Sequence, residues 1–223
     1  MFIGHFAAAL AAKHVAQSVS LGTLFLAAQL ADLVWPTLVL LGIEVVEVRP
    51  GITAVTPLDF THYPYSHSLV ALTVWAGAFA AAYRWFWRAP SSAALTLAAL
   101  VLSHWVLDVL THRPDMPLTL TGALRVGLGL WNSIGATFAI EGLLFIAGVA
   151  IYLKTTEAVD RTGRVALWAL IVFLVITYVA NLFAPPPPNA MALAWWAQAT
   201  WLLVAWGYWI DRHRRASGSG GPS

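Results

Sequence analysis

Long apolar stretches separated by short polar segments make up most of this chain. A transmembrane helix needs about 20 mostly apolar residues. Six stretches meet that length, at 20–43, 67–87, 92–111, 131–153, 165–184 and 191–210. A shorter apolar segment, 3–18, precedes them and contains His5, Lys13 and His14. This pattern predicts an all-α fold: a polytopic transmembrane helix bundle of about seven helices, the first of them short.

Composition agrees with a bilayer environment. The 223 residues are 60% hydrophobic and 10% charged, whereas soluble domains carry about 25% charged residues. The chain has no cysteine, which excludes a disulfide framework, a thiolate nucleophile and a cysteine-based zinc site. Its net charge is +2 and its basic residues are dispersed, so no nucleic-acid partner is expected.

Loop charges predict the orientation. The loops after 67–87, after 131–153 and after 191–210 fall on one side of the membrane and carry most of the basic residues. By the positive-inside rule that side is cytoplasmic, which places the N-terminus outside and the C-terminus inside. The basic residues of these three loops are Arg84, Arg88, Lys154, Arg161, Arg164, Arg212, Arg214 and Arg215.

The domain organisation is simple. Residues 1–215 read as a single transmembrane helical domain. Residues 216–223 turn abruptly small and polar, which is typical of a flexible tail or a remnant of cloning.

A histidine and an aspartate, His104 and Asp108, lie four residues apart inside the apolar stretch 92–111. Residues at this spacing share one face of a helix. Ionisable groups at membrane depth are energetically expensive and usually functional. The pair is therefore interpreted as two ligands of one metal, or as a base with its orienting carboxylate; a purely structural intramembrane hydrogen bond is the alternative.

Further ionisable residues fall at the same depth once the loop charges set the topology. Together with this pair they make six groups from five predicted helices in the outer half of the membrane. Three histidines and three carboxylates suit a divalent metal, with zinc first and manganese or iron next, as one or two ions. Glu141 is the candidate general base or a further ligand. The predicted metal ligands are His5, Asp32, His67, His104 and Asp108.

Some of these residues have other interpretations. Asp32 could instead form a buried ion pair with Lys13. Glu141 could instead pair with a neighbouring helix. His5 could be a terminal surface residue and His67 a helix-start residue.

Two predicted outer loops add polar groups above this cluster. The segments DFTHYPYSHS and THRPDMPL supply side chains that could form a rim and bind substrate. Arginine binds phosphate oxygens bidentately, which makes Arg113 and Arg125 candidates for an anionic group. An ordinary interfacial loop with aromatic anchors is the alternative. The candidate substrate-binding residues are His62, His112, Arg113, Asp115 and Arg125.

The motifs resemble a known family, the membrane-bound metal-dependent hydrolases, also described as LexA-binding, inner-membrane-associated hydrolases. The likeness covers roughly residues 1–155 and implies a metal and a hydrolase in the bacterial inner membrane, but no substrate. Where the family often has Pro-Asp-x-Asp, this chain has Ala31-Asp32-Leu33-Val34. The matching pieces are Gly4-His5, Ala31-Asp32, Ser66-His67-Ser68 and Ser103-His104 through Asp108.

The sequence is thus interpreted as an integral membrane metal-dependent hydrolase acting on a phosphoester or ester of a lipid-like substrate. A divalent-cation or proton transporter is one rival, and a non-catalytic metal- or haem-binding membrane protein is another. Small residues in AAALAA and in 76–82 permit close helix packing or a homo-oligomer.

Overall fold

The computed structural model describes residues 1–217, and they are predominantly helical. The described residues form ten α-helices and three short two-stranded antiparallel sheets. The helices are α1 (Ile3–Ala12), α2 (Leu21–Ala28), α3 (Leu30–Leu40), α4 (Pro64–His67), α5 (Leu69–Trp87), α6 (Ser91–Thr111), α7 (Ile134–Thr155), α8 (Arg161–Phe183), α9 (Ala190–Ala197) and α10 (Thr200–Asp211). The strands are β1 (Val45–Val48), β2 (Leu58–His62), β3 (Met116–Pro117), β4 (Arg125–Val126), β5 (Thr156–Ala158) and β6 (Arg214–Ala216).

The all-α prediction is confirmed, and four of the predicted spans appear as single long helices. By length and composition, α5 to α8 could each cross a membrane. The predicted span 20–43 is instead the pair α2 and α3, bent by 56° at Gln29; if that pair is one span, the count rises to five. The predicted span 191–210 is divided into α9 and α10. Seven spans and the predicted orientation are therefore not confirmed.

The short helix α1 forms the centre of the bundle. It has 10 residues, about 15 Å at 1.5 Å per residue, which is half the thickness of a hydrocarbon core. Ile3, Phe6 and Leu10 are at most 2% exposed. A Cβ at Gly148 of α7 would lie 2.8 Å from the Ala7 Cα, so this close approach requires glycine. As a result, the middle of α1 packs closely against α7 at Gly148.

The long helices expose apolar side chains on the outside of the bundle. Leu95 of α6, Ile146 of α7 and Ile176 of α8 are each more than 60% exposed. Such surfaces are costly in water and favourable in lipid. The exposed surface therefore supports a multi-pass protein in a bilayer.

The loops at the α6 C-terminal end contain regular secondary structure. Segment 44–66 folds into the β1–β2 hairpin and α4, and segment 112–130 contains β3 and β4. At the opposite end, β6 pairs with β5, so Ala216, predicted to start the tail, belongs to a strand. The rest of the predicted tail, 218–223, lies outside the described residues.

Candidate metal centre

The His104–Asp108 pair forms the floor of the site. Both side chains are almost fully buried on one face of α6, and His104 Nε2 lies 3.1 Å from Asp108 Oδ2. The helical i, i+4 spacing alone produces this contact. Which nitrogen of His104 carries hydrogen depends on what contacts its other side.

The helix break at Gln29 supplies that contact. The last carbonyls of a helix have no partner within the helix, and Ala28, at the end of α2, is one of them. Its carbonyl accepts a hydrogen bond from His104 Nδ1 at 2.8 Å. A neutral imidazole has one N–H, so His104 Nε2 carries a lone pair. Within residues 1–217 this buried Nε2 atom has no hydrogen-bond partner.

The same break places Asp32 in the first turn of α3 and turns it toward His104. Asp32 Oδ1 lies 3.8 Å from His104 Nε2 and 3.5 Å from His67 Nε2. Its side chain is 35% exposed, whereas the side chains of His104 and Asp108 are 1% and 3% exposed. Asp32 is therefore the most exposed of these three side chains.

His67 enters from the end of α4. Its Nδ1 lies 2.7 Å from the Ser66 hydroxyl, and that hydroxyl lies 2.6 Å from a carboxylate oxygen of Glu44. Its Nε2 lies 3.8 Å from Asp108 Oδ2, in addition to its approach to Asp32. His67 and His104 thus direct equivalent nitrogens at the same two carboxylates.

His5 closes the side of the site formed by α1. Its Nε2 lies 3.1 Å from Asp108 Oδ1, and its ring stacks on His104 with centroids 3.8 Å apart and planes at 4°. The buried Nδ1 of His5 has no hydrogen-bond partner in the described part of the chain. The amino group of Met1 also contacts Asp108 Oδ1, at 2.5 Å. The five predicted metal ligands are therefore adjacent to one another.

Two overlapping triads have the spacing of a metal site. One contains Asp32, His67 and His104; the other contains His5, His104 and Asp108; in each triad the donor atoms lie within 4.8 Å of one another. Atoms about 2.0–2.1 Å from a tetrahedral zinc ion lie about 3.3 Å apart. The separations from histidine nitrogen to carboxylate oxygen are 3.1 to 3.8 Å. The donor set therefore fits a divalent metal.

The two triads share one nitrogen. His104 Nε2 has a single lone pair and can bind one ion. The triad of Asp32, His67 and His104 is the better prepared, because a hydrogen bond at Nδ1 fixes each histidine. Asp108 lies against both histidines, and His5 in turn lies against Asp108.

The carboxylate of Glu141, the predicted base, binds the backbone at the start of α1. Its Oε2 accepts hydrogen bonds from the backbone amides of Phe2 at 2.9 Å and Gly4 at 3.4 Å. The first amides of a helix lack partners within the helix, and a carboxylate there is favourable. These contacts give Glu141 a capping role beside the site. Lys13, the alternative ion-pair partner for Asp32, pairs instead with Asp211.

His112 and Asp115 form a buried pair in the rim, just beyond α6. His112 Nδ1 lies 2.9 Å from Asp115 Oδ1, and the Tyr63 hydroxyl donates to the Asp115 carbonyl at 3.1 Å. Burial lowers the pKa of His112, because the charged imidazolium is poorly solvated there. Burial acts to raise the pKa of Asp115, but hydrogen bonds from His112 and Arg113 outweigh it, and the net shift is downward.

The two arginines of the rim already make ion pairs or hydrogen bonds within the protein. Arg113 contacts Asp115 at 2.8 Å and forms a second ion pair with Asp59. Arg125 donates to the carbonyls of Gly122 at 3.0 Å and Thr61 at 2.9 Å. The predicted anion-binding role would therefore require these contacts to open. His62 packs edge-on against the Tyr65 ring, with centroids 5.9 Å apart.

Sequence reasoning missed the acidic residues that support the site. Glu44 reaches Ser66 across 22 positions, and Asp59 reaches Arg113 across 54. No helical or strand periodicity relates positions so far apart. The one usable signal was an acidic residue directly after an apolar helix, at Ile43-Glu44.

Comparison of the chain with protein-family models, with curated proteins and with solved structures gave no match.

Proposed function

We propose that this chain is an integral membrane metal-dependent hydrolase of the bacterial inner membrane, related to the membrane-bound metal-dependent hydrolases. One observation carries the metal part of the proposal. His67 and His104 each have their Nδ1 hydrogen bonded elsewhere, so their Nε2 lone pairs face the carboxylates of Asp32 and Asp108. A single divalent cation would satisfy these acceptors together.

Asp32, His67 and His104 would hold the ion, zinc being the first candidate and manganese or iron the next. Asp108 would complete the donor set, and His5 would steady Asp108. A divalent metal in such a site supplies Lewis acidity that activates water for hydrolysis. Glu141 would fix the start of α1, and with it His5, against the site.

The position of the site suggests the class of substrate. His104 and Asp108 lie about 5–10 Å from the end of α6, at 1.5 Å per residue. Apolar, outward-facing helices surround the site, and Asp32 is its exposed member. An amphiphile could bring its head group to Asp32 while its chains stay in lipid. We therefore propose a phosphoester or ester of a lipid-like molecule; the hydrolase part rests on the motif resemblance.

The first test is the metal content of purified protein, measured by elemental analysis. We expect about one zinc, manganese or iron ion per chain in the unsubstituted protein, and loss of that ion in His104→Gln and His67→Gln. His14→Ala serves as the matched control, because His14 is an exposed histidine outside the site. A metal-free protein that takes up no added metal would refute the proposal.

The second test is activity. Detergent-solubilised protein, loaded with metal, should release phosphate or carboxylic acid from lipid-like phosphoesters or esters, and His104→Gln should not. If loaded protein carries the metal across proteoliposome membranes and hydrolyses none of these substrates, the chain is a transporter and the hydrolase proposal fails.

A further inference from the structure

The Glu44 carboxylate lies just outside the metal centre and reaches it through one hydroxyl group. Its Oε1 accepts hydrogen bonds from the backbone amides of Tyr65 at 2.8 Å and Ser66 at 2.9 Å. Its Oε2 accepts from the Ser66 hydroxyl at 2.6 Å. Glu44 is 1% exposed and Ser66 is fully buried. The contact is therefore shielded from water, which would otherwise compete for both side chains.

The direction of these hydrogen bonds determines the state of His67. A serine hydroxyl has one hydrogen, and Ser66 gives it to Glu44. The Ser66 oxygen can then only accept from His67 Nδ1, which lies 2.7 Å away. Neutral His67 consequently carries its hydrogen on Nδ1 and a lone pair on Nε2, the atom 3.5 Å from Asp32.

We propose that Glu44 and Ser66 are positioning residues that select the metal-binding tautomer of His67. The inference rests on the proposed metal centre. Metal-binding histidines commonly donate their second N–H to a carboxylate or a carbonyl, which fixes the ring. His104 uses the Ala28 carbonyl for this purpose. His67 uses a carboxylate acting through a serine, so its tautomer depends on side chains that can be substituted.

Glu44→Gln is the decisive variant, because it retains the shape of the side chain but reverses the relay. The amide oxygen of glutamine can still accept from the Tyr65 and Ser66 backbone. Its NH₂ group then faces the Ser66 oxygen and donates to it. The Ser66 hydrogen has then lost its acceptor at position 44, and His67 Nδ1, 2.7 Å away, can accept it; the imidazole hydrogen moves to Nε2, where it takes the place of the lone pair.

Imidazole ¹⁵N spectra of the metal-free, full-length protein in detergent measure this directly, with His67→Gln identifying the signal. We expect hydrogen on Nδ1 in the unsubstituted protein and on Nε2 in Glu44→Gln. Zinc affinity, measured by chelator competition, should fall about 10- to 100-fold in Glu44→Gln. Ser68→Ala is the matched control: Ser68 is also fully buried and caps α5 through the Ala71 amide at 3.0 Å. It should change neither the tautomer nor the zinc affinity.

The outcomes separate this inference from the proposed function. If the unsubstituted protein binds zinc and Glu44→Gln binds it equally well with an unchanged tautomer, the relay is wrong and the metal centre stands. If the unsubstituted protein binds no zinc, the metal centre fails and the metal-selecting role fails with it. Ser66→Ala is a second variant should Glu44→Gln not fold; without the hydroxyl, we expect mixed tautomers and weaker zinc binding. An unchanged tautomer there would overturn the relay.

Discussion

The two ends of α1 both bury charge, but they do so in different ways. Near its C-terminal end, Lys13 Nζ donates to the Val19 carbonyl at 2.7 Å and to Asp211 at 3.0 Å. A cation there faces acceptors. Near its N-terminal end, the Met1 amino group contacts Asp108, but the Nε2 lone pairs of neutral His67 and His104 face carboxylate oxygens. Buried polar groups are normally paired, and a bound cation would pair these acceptors as Lys13 pairs those at the other end.

Arg214, at the Lys13 end, is a second buried cation that donates to acceptors within the protein. Its guanidinium donates to the Thr156 carbonyl and hydroxyl, both at 2.9 Å, and to the Gly163 carbonyl at 3.4 Å. It also lies 5.4 Å from the centre of the Tyr152 ring. These contacts join the end of α7, the start of α8 and β6. The Lys13 end thus joins chain segments to one another, whereas the His5 end groups histidine and aspartate side chains that could bind a metal.

Removal of the metal should give the largest effect. A ligand present at 1,000 times its dissociation constant stabilises the folded state by about 4 kcal/mol. We expect thermal unfolding of the zinc-loaded protein to shift strongly downward when a chelator is added. Arg214→Met should keep that shift, while His104→Gln should lose it. Identical unfolding curves with and without zinc would remove the proposed difference between the two ends.

Arg214→Met should have the next largest effect. It removes the buried hydrogen bonds of the guanidinium to Thr156 and Gly163, so we expect a loss of about 3 kcal/mol in the free energy of unfolding. Chemical denaturation measures this loss, and the metal content should not change. Arg215→Met is the matched control. Arg215 and its partner Glu157 are each 50% exposed, and such pairs contribute about 0–1 kcal/mol. Equal losses in the two variants would contradict a structural role for Arg214.

Asp32→Asn should have opposite effects on binding and on stability. The amide of asparagine can donate to the His67 lone pair, which faces a carboxylate oxygen at 3.5 Å. We expect the metal-free protein to gain about 1 kcal/mol in stability and to bind metal more weakly. Denaturation in chelator and chelator competition measure the two quantities. A loss of stability would mean that His67 is a protonated partner of Asp32, which would make this end resemble the Lys13 end.

The smallest effect concerns the exposed Asp160–His213 pair at the Lys13 end. His213 Nδ1 lies 2.7 Å from Asp160 Oδ2, and this hydrogen bond lowers the pKa of Asp160. The folded pKa then lies below the unfolded value of about 3.9. The resulting stabilisation is present above that value and is lost as pH falls through the folded pKa. Carboxyl NMR titration should show the Asp160 pKa rising in His213→Ala; an unchanged titration would contradict the pairing.

Much of the helical layout could be predicted because apolar length is a local property. The stretches 67–87, 92–111, 131–153 and 165–184 became α5 to α8 within a few residues at each end. The break at Gln29 could not be predicted, since the apolar stretch continues on both sides of this single polar residue. The break exposes the Ala28 carbonyl to His104, a contact across 76 positions. Because the carbonyl freed by this bend pairs with a residue far along the chain, the sequence near the bend does not indicate it.

The sequence grouped the residues of the candidate site but not the residues that support them. His104 and Asp108 were paired by their i, i+4 spacing, and His5, Asp32 and His67 were added by predicted depth; the fold places these side chains close together, and their role as metal ligands stays a prediction. Glu141 was placed near the site, but its bonds to Phe2 and Gly4 give it a capping role that spacing did not suggest.

The sequence by itself determined that this is a helical protein suited to a bilayer, and it predicted that its histidines and aspartates share one depth. Hydrophobic length and the cost of intramembrane charge act residue by residue, so the chain order alone carries that information. The tertiary structure decided which atoms face one another. A histidine offers a lone pair or a hydrogen according to what contacts its other nitrogen, and for His67 and His104 those contacts start from Glu44 and Ala28, far away along the chain.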